Sequence, residues 1–238
     1  MVKFYTLGQC INKMEKNMSG KEHEKMLIEE HRRKTILEAA EKLFLTKGYD
    51  NTTMQDVAEK AGYSKGTLYN TFETKELKDA LYLSIATKAY ELFLNILKKR
   101  LEKINPGIQQ VKEVGFAYYE FIQKYPAYAN IFHDVAQKVP NLDSKNKEEL
   151  DVIEKAYLQK SEEFGQYFVK ILGKAIQSKQ IRSDKPPFLI GFMLSNLTNG
   201  MMKELMQHED DLKKFRIDPD ELVEFTFEII ADGLKPKE

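Results

Sequence analysis

The segment Ser64-Lys-Gly-Thr-Leu-Tyr-Asn-Thr-Phe72 crowds hydrogen-bonding side chains onto a short stretch with helical spacing. Leu68 and Phe72, at i and i+4, give such a helix one buried side and turn Lys65, Gly66, Thr67, Tyr69 and Asn70 away from it. Those side chains suit a nucleic-acid duplex. Lysine can bond a guanine or a phosphate, threonine a base or a thymine methyl, tyrosine a phosphate, and asparagine an adenine. Gly66, with no side chain, leaves room for close approach.

Other chemistries find less support. His133-Asp134 has the residue types of a base pair or a metal site, but neighbours on a helix point about 100° apart and no third partner is evident. The pair is assigned to the surface or to local hydrogen bonding. Ser161, Ser178 and Ser195 lack any recognisable nucleophile setting. One cysteine, Cys10, excludes an internal disulfide, and four histidines form no Cys/His cluster with zinc spacing. The expectation is a protein that is no enzyme and holds no metal or cofactor.

The elements that must position the polar helix are legible on either side of it. Thr53 with Asp56 three residues on forms a capping box with the shorter acid, opening a helix that carries Val57, Ala58 and Ala61 inward. Gly62 turns the chain and Ser64 caps the next helix. Small residues at the crossing, a glycine turn and a short second helix are what a helix-turn-helix requires. Before it, Leu27, Ile28, Ile36, Leu37, Ala40, Leu43 and Phe44 favour one face of a helix from about Glu24 to Lys47, which Gly48 stops. After it, Thr74 caps a long helix from Lys75 to about Leu101, long enough to bridge two domains and broken by Asn105-Pro-Gly107.

The residues Ile36-Leu37-x-Ala39-Ala40-x-x-Leu43-Phe44, Lys47-Gly48-Tyr49, Thr52-Thr53-x-x-Asp56-Val57-Ala58-x-x-Ala61-Gly62, Ser64-Lys65-Gly66-Thr67-Leu68-Tyr69-x-x-Phe72 and Lys75-Glu76-Leu77 follow one another at fixed spacing. This block resembles the DNA-binding domain of the TetR family of transcriptional regulators. The resemblance implies DNA contacts from Thr53 and Gln55 on the second helix, from Lys65, Thr67, Tyr69 and Asn70 on the third, and from Lys75 at the start of the fourth. Lys75 would act on phosphate beside the positive end of a helix dipole. Members often carry His or Tyr where this chain has Thr71, which puts an aromatic or imidazole phosphate contact there in question. The plain alternative is a packed αα-hairpin with a solvated polar face.

Charge does not advertise a polyanion partner. Lys+Arg and Asp+Glu both number 37 in the 238 residues. Between Lys21 and Glu76 stand ten basic and eleven acidic residues, net −1. DNA binding would therefore rest on the placement of Arg32, Arg33, Lys65 and Lys75 near phosphates, with Glu38, Glu41 and Glu59 facing away. Nonspecific affinity should be weak and salt-sensitive.

The whole chain reads as all-α, since no segment sustains a period-two alternation. Residues 1–23 are a polar extension, 24–76 the helix-turn-helix domain, and 77–238 a helical effector-binding and dimerisation domain. Further helices are expected at Ile108–Lys124, Ala127–Gln137, Lys147–Ser178, Pro187–His208 and Pro219–Gly233. No signal-peptide core stands near the start, and the run Phe188–Leu194 falls far short of the roughly 18 to 20 residues of a membrane span. A cytoplasmic protein without membrane contact is expected.

Aromatic residues at helical spacing fill the second half, and most must be core. The family resemblance implies a cavity there for a largely apolar or amphipathic effector, with Phe93, Leu97, Tyr119, Ile122, Phe132, Phe168, Met193 and Asn196 as candidate lining. Asn196 has a second reading, pairing across a dimer interface. The last two helices show apolar faces, Leu189, Phe192, Met193, Leu197, Met201 and Leu205, then Leu222, Phe225, Ile229 and Ile230. Together they suit a four-helix interface between two copies. The reading that results is a homodimeric, ligand-responsive repressor on a near-palindromic DNA operator. Its rival is a helical carrier of small molecules or lipids whose N-terminal hairpin does not read DNA.

Overall fold

The structure, a computed structural model, describes residues 20–236 apart from 73, 75, 141, 143, 144 and 147. Ten helices and no strand occur among the described residues, so the chain is all-α. Five of the helices are α1 (Gly20–Lys47), α2 (Met54–Ala61), α3 (Lys65–Phe72), α4 (Leu77–Leu101) and α5 (Ile108–Lys124). Then come α6 (Pro126–Lys138), α7 (Val152–Gln177), α8 (Pro187–Gln207), α9 (Glu209–Lys214) and α10 (Pro219–Leu234).

The described chain forms two compact units. One comprises residues up to 85 together with 137–157, the other 86–136 together with 158 onward. The division falls inside α4, whose Leu77, Leu81, Leu83 and Ile85 are buried and belong to the first unit.

In the first unit α1 packs on α2 and α3, and α2 on α3. Ile36, Ala39, Ala40, Leu43 and Phe44 form the buried stripe of α1. Leu27 and Ile28, expected on that face, are exposed, and the buried stripe begins at Ile36. The expected polar extension thus splits: Gly20–His23 belong to α1, and residues 1–19 lie outside the described residues. Tyr49 sits between Phe44 and Tyr82, with ring centroids 6.0 and 4.9 Å away, and its hydroxyl donates to Asp79. These contacts fix the first turns of α4 onto the end of α1.

Segment 137–157 returns to the same unit through charge. Lys138 Nζ donates to Asp50 at 2.5 Å, and Lys145 Nζ bridges Glu76 at 2.8 Å and the buried Glu154 at 2.6 Å. Those two carboxylates hold the Lys145 ammonium above its ordinary range. Helix α7 starts at Val152 instead of the expected Lys147. Asp151 Oδ1 accepts from the backbone N–H groups of Ile153 and Glu154, and Glu154 returns the bond to the Asp151 N–H. This second capping box sets the start that periodicity alone placed too early.

In the second unit α5 packs against α8 and α10, and α9 against α8. Phe93, Leu97, Phe121, Leu172, Met202 and Phe227 are among the core side chains. Gly115 allows α5 and α10 their close approach, since a Cβ there would run into the Phe227 ring. Short α9 had no expectation behind it: six residues carry too little periodicity to register, although Leu212 packs against the core. Among the described residues no helix is long and apolar enough to cross a membrane.

Candidate nucleic-acid interface

Each helix of the pair is fixed at its start by a side chain. Thr53 Oγ1 accepts the Asp56 N–H at 3.1 Å while Asp56 accepts the Thr53 N–H at 2.9 Å, which is the expected capping box. The bond from the Thr53 N–H, and then that from its hydroxyl, hold the Asp56 carboxyl below its usual range, with Lys47 3.6 Å away helping. At the far end Gly62 takes φ +74°, so that its own N–H reaches Glu59 O at 3.2 Å and the Tyr63 N–H reaches Ala58 O at 3.0 Å. A residue with a Cβ would meet that left-handed turn with strain of about 1 kcal/mol. The chain then enters α3, where Ser64 Oγ accepts the Thr67 N–H at 3.1 Å.

Leu68 is fully buried and Phe72 nearly so, and this sets the rotation of α3 about its axis. Lys65, Gly66, Tyr69 and Asn70 are exposed as expected, and Thr67 is partly buried with its hydroxyl 2.8 Å from that of Ser64. Thr53 and Gln55 on α2 are also exposed. Lys75 lies outside the described residues.

Gly66 is the informative residue. Its backbone is ordinary helix, and a Cβ added there would meet nothing closer than Ser64 Oγ at 3.8 Å. Alanine would fit. Glycine in a helix is worth about 0.5–1 kcal/mol less than alanine, and no close contact among the described residues offsets that.

Three placements differ from expectation. Arg33 does not stand free for a phosphate: its Nη2 donates to the Thr71 carbonyl at 2.8 Å and its Cζ lies 4.9 Å from the Phe72 ring centroid. Glu59, expected to face away, accepts from Gln55 Nε2 at 2.9 Å and so shares the side of α2 assigned to DNA, as i,i+4 spacing requires. His133 is half-buried and its hydrogen bond is not local. Its Nε2 is 2.8 Å from the Tyr118 hydroxyl across helices, and burial pushes the imidazole below its ordinary pKa. Thr71 turns its hydroxyl onto the Thr67 carbonyl at 2.7 Å.

The proposed effector residues separate into two groups. Phe93, Leu97, Ile122 and Phe168 are in the second unit's buried core, and Tyr119 and Phe132 pack against it, Tyr119 donating to Asp220 at 2.6 Å. Met193 and Asn196 are exposed on α8, and the Asn196 amide bonds the Phe192 carbonyl of its own helix at 2.7 Å, so neither lines that core. Around them lies an apolar surface: Phe188 is 76% exposed, Phe192 61% and Leu197 52% on α8, with Phe225 59% and Ile229 56% on α10. Met201 and Leu205, placed on that face from the sequence, instead pack with the core.

A capped helix pair around a left-handed glycine, with a polar short second helix, is a helix-turn-helix, and the chain is a helical protein built upon one. Residues 36–77 match the family model described as bacterial regulatory proteins, tetR family. The uncharacterised HTH-type transcriptional regulator YfiR of Bacillus subtilis is 23% identical over 187 residues, covering 76% of this chain and 82% of that protein. A second such regulator of the same organism, YhgD, is 35% identical over 106 residues, 44% of this chain and 54% of the relative. Among solved structures, a tetR-family regulatory protein from Rhodococcus RHA1 superposes with a TM-score of 0.60 at 16% identity, over 87% of this chain and 98% of that one. Residues 36–77 thus match the DNA-binding domain of the tetR family, and the chain as a whole is similar to transcriptional regulators of that family.

Proposed function

We propose that the protein is a homodimeric transcriptional repressor whose α3 enters the major groove of a near-palindromic operator. The observation that carries the reading is Gly66, whose missing side chain answers no need within the fold and suits a surface that a duplex must approach closely. Lys65, Thr67, Tyr69 and Asn70 read or grip the duplex, Thr53 and Gln55 on α2 contact it as well, and Lys75 acts on phosphate. Two copies pair through the exposed apolar faces of α8 and α10, with Met193 and Asn196 on the interface side. Pairing supplies two reading helices for half-sites one helical turn apart, roughly 10 base pairs.

An apolar or amphipathic small molecule lodges against Phe93, Leu97, Tyr119, Ile122, Phe132 and Phe168 and relieves repression. Helix α4 belongs to both units, so a ligand that favours one setting of its later turns acts on the helix that begins beside α3. Such a ligand must bind the two states unequally to shift anything.

Selection of bound fragments from random duplex DNA tests the proposal. A twofold-symmetric consensus is expected, with weaker binding by the Lys65→Ala and Tyr69→Ala variants. No enriched sequence would overturn the reading in favour of a carrier of small molecules or lipids.

A further inference from the structure

Helix α3 has eight residues, little more than two turns, and a helix so short is not stable by itself. Its last carbonyls have no partner within the helix, and its C-terminus carries the negative end of a dipole. One residue answers both conditions. The Arg33 guanidinium, projecting from α1, donates to the Thr71 carbonyl at 2.8 Å and lies over the Phe72 ring, 4.9 Å from its centroid. Phe72 is itself buried, so the surface on which the guanidinium rests is fixed.

We propose that Arg33 is a positioning residue for sequence recognition: it sets the pitch of α3 and touches no DNA. This rests on the reading of α3 as the DNA-contacting helix. The helix is held by Ser64 at the start, by Leu68 in the middle, and by buried Phe72 with Arg33 at the end. Leu68 prevents rotation about the axis, and Ser64 fixes the end nearest the first-turn side chains. Tilt about the Ser64 end is limited by the buried Phe72 ring and by the Arg33 contact, which alone of the two bonds the helix's last carbonyls. A small tilt displaces base-edge donors, whose geometry must hold to about 0.5 Å and 10–20°. Phosphate contacts through flexible lysines tolerate the same tilt. Arg33 therefore governs discrimination more than grip. The role needs an arginine, since a planar fork can stack on a ring and donate in its plane at once, whereas an ammonium does one or the other.

The test uses the full-length protein and two short duplexes of equal composition, the one that the wild type selects and a scrambled one. Dissociation constants are measured on both across a salt series for wild type, Arg33→Lys and Arg33→Gln. The ratio of the two constants does not depend on the folded fraction of a preparation, so partial unfolding cannot mimic the result. Both variants should lose about tenfold or more of the ratio, the size of one good base contact. Their affinity for scrambled DNA and its salt dependence should stay as in the wild type. An Arg33→Lys variant that keeps wild-type discrimination overturns the assignment. So does an Arg33→Gln variant whose logarithmic salt slope on scrambled DNA drops by about 0.9, the signature of one lost phosphate contact. A wild type with no preference between the duplexes sinks the DNA reading as well.

Discussion

Two surfaces of this protein are left uncovered by the described residues, and they differ in kind. The face of α3 offers Lys65, Tyr69 and Asn70 around a glycine, all polar or bare. The faces of α8 and α10 offer Phe188, Phe192, Leu197, Phe225 and Ile229, all apolar and all more than half exposed. Water solvates the first at no penalty, so exposure alone says little about it, and the meaning comes from spacing and from Gly66. The second is unfavourable in water at roughly 25 cal/mol per Å², so its exposure is itself the signal that another surface covers it. A polar face marks a partner that comes and goes; an apolar one marks a partner that stays.

The sharpest way to break that comparison is to charge the apolar face. Phe192→Glu puts a carboxylate at the middle of the α8 surface, where pairing would bury it. The mass by light scattering should fall from dimer to monomer, and operator affinity should fall by about 10²–10⁴, the gain that linking two half-sites provides. A variant that keeps both would remove α8 from the interface. Next in size are Lys65→Ala and Tyr69→Ala. Each should weaken operator binding by about 1–3 kcal/mol while the dimer mass stays unchanged. A fall in mass with either variant would mean that the two surfaces are not separate.

Gly66→Ala gives a smaller effect with two opposed signs. Because nothing stands within 3.8 Å of the added methyl, thermal or denaturant unfolding should show a gain of about 0.5–1 kcal/mol. Operator affinity should fall at the same time. Greater stability with undiminished binding would leave the glycine without the role given to it.

What the sequence disclosed follows the same contrast. The helix-turn-helix was legible to the residue, because Thr53, Asp56, Gly62 and Ser64 each act on backbone groups a few positions away, and local rules describe such effects. Exposure of Lys65, Tyr69 and Asn70 followed from Leu68 and Phe72 on the same helix. The place of Arg33 is not legible, since the carbonyl it meets stands 38 residues on and no local pattern distinguishes an arginine that meets phosphate from one that meets a carbonyl. Met193 was misplaced for a related reason: an apolar side chain at helical spacing looks alike whether it faces a core, a ligand or a second copy. The return of 137–157 to the first unit, through Lys138 and Lys145, rests on ion pairs between distant positions that charge counts cannot pair.

A last prediction concerns the second unit from within. His133 stands against Tyr118, with Asp134 and Lys203 as its charged neighbours. Burial, the largest influence, lowers its pKa, Asp134 opposes that, and Lys203 adds to the lowering. In the unfolded chain the group titrates near its ordinary value of about 6.5. Above that pH both states hold a neutral imidazole and the Tyr118 contact contributes in full. Below it the unfolded state takes up the proton more readily, so stability is lost as pH falls. Denaturant unfolding of the wild type at pH 7.5 and 5.5 should therefore show a drop that is smaller in a His133→Phe variant, which has no proton to gain. Equal drops in the two proteins would show that the imidazole is no more reluctant to ionise when folded than when unfolded, and would remove His133 from any account of how the second unit responds to acid.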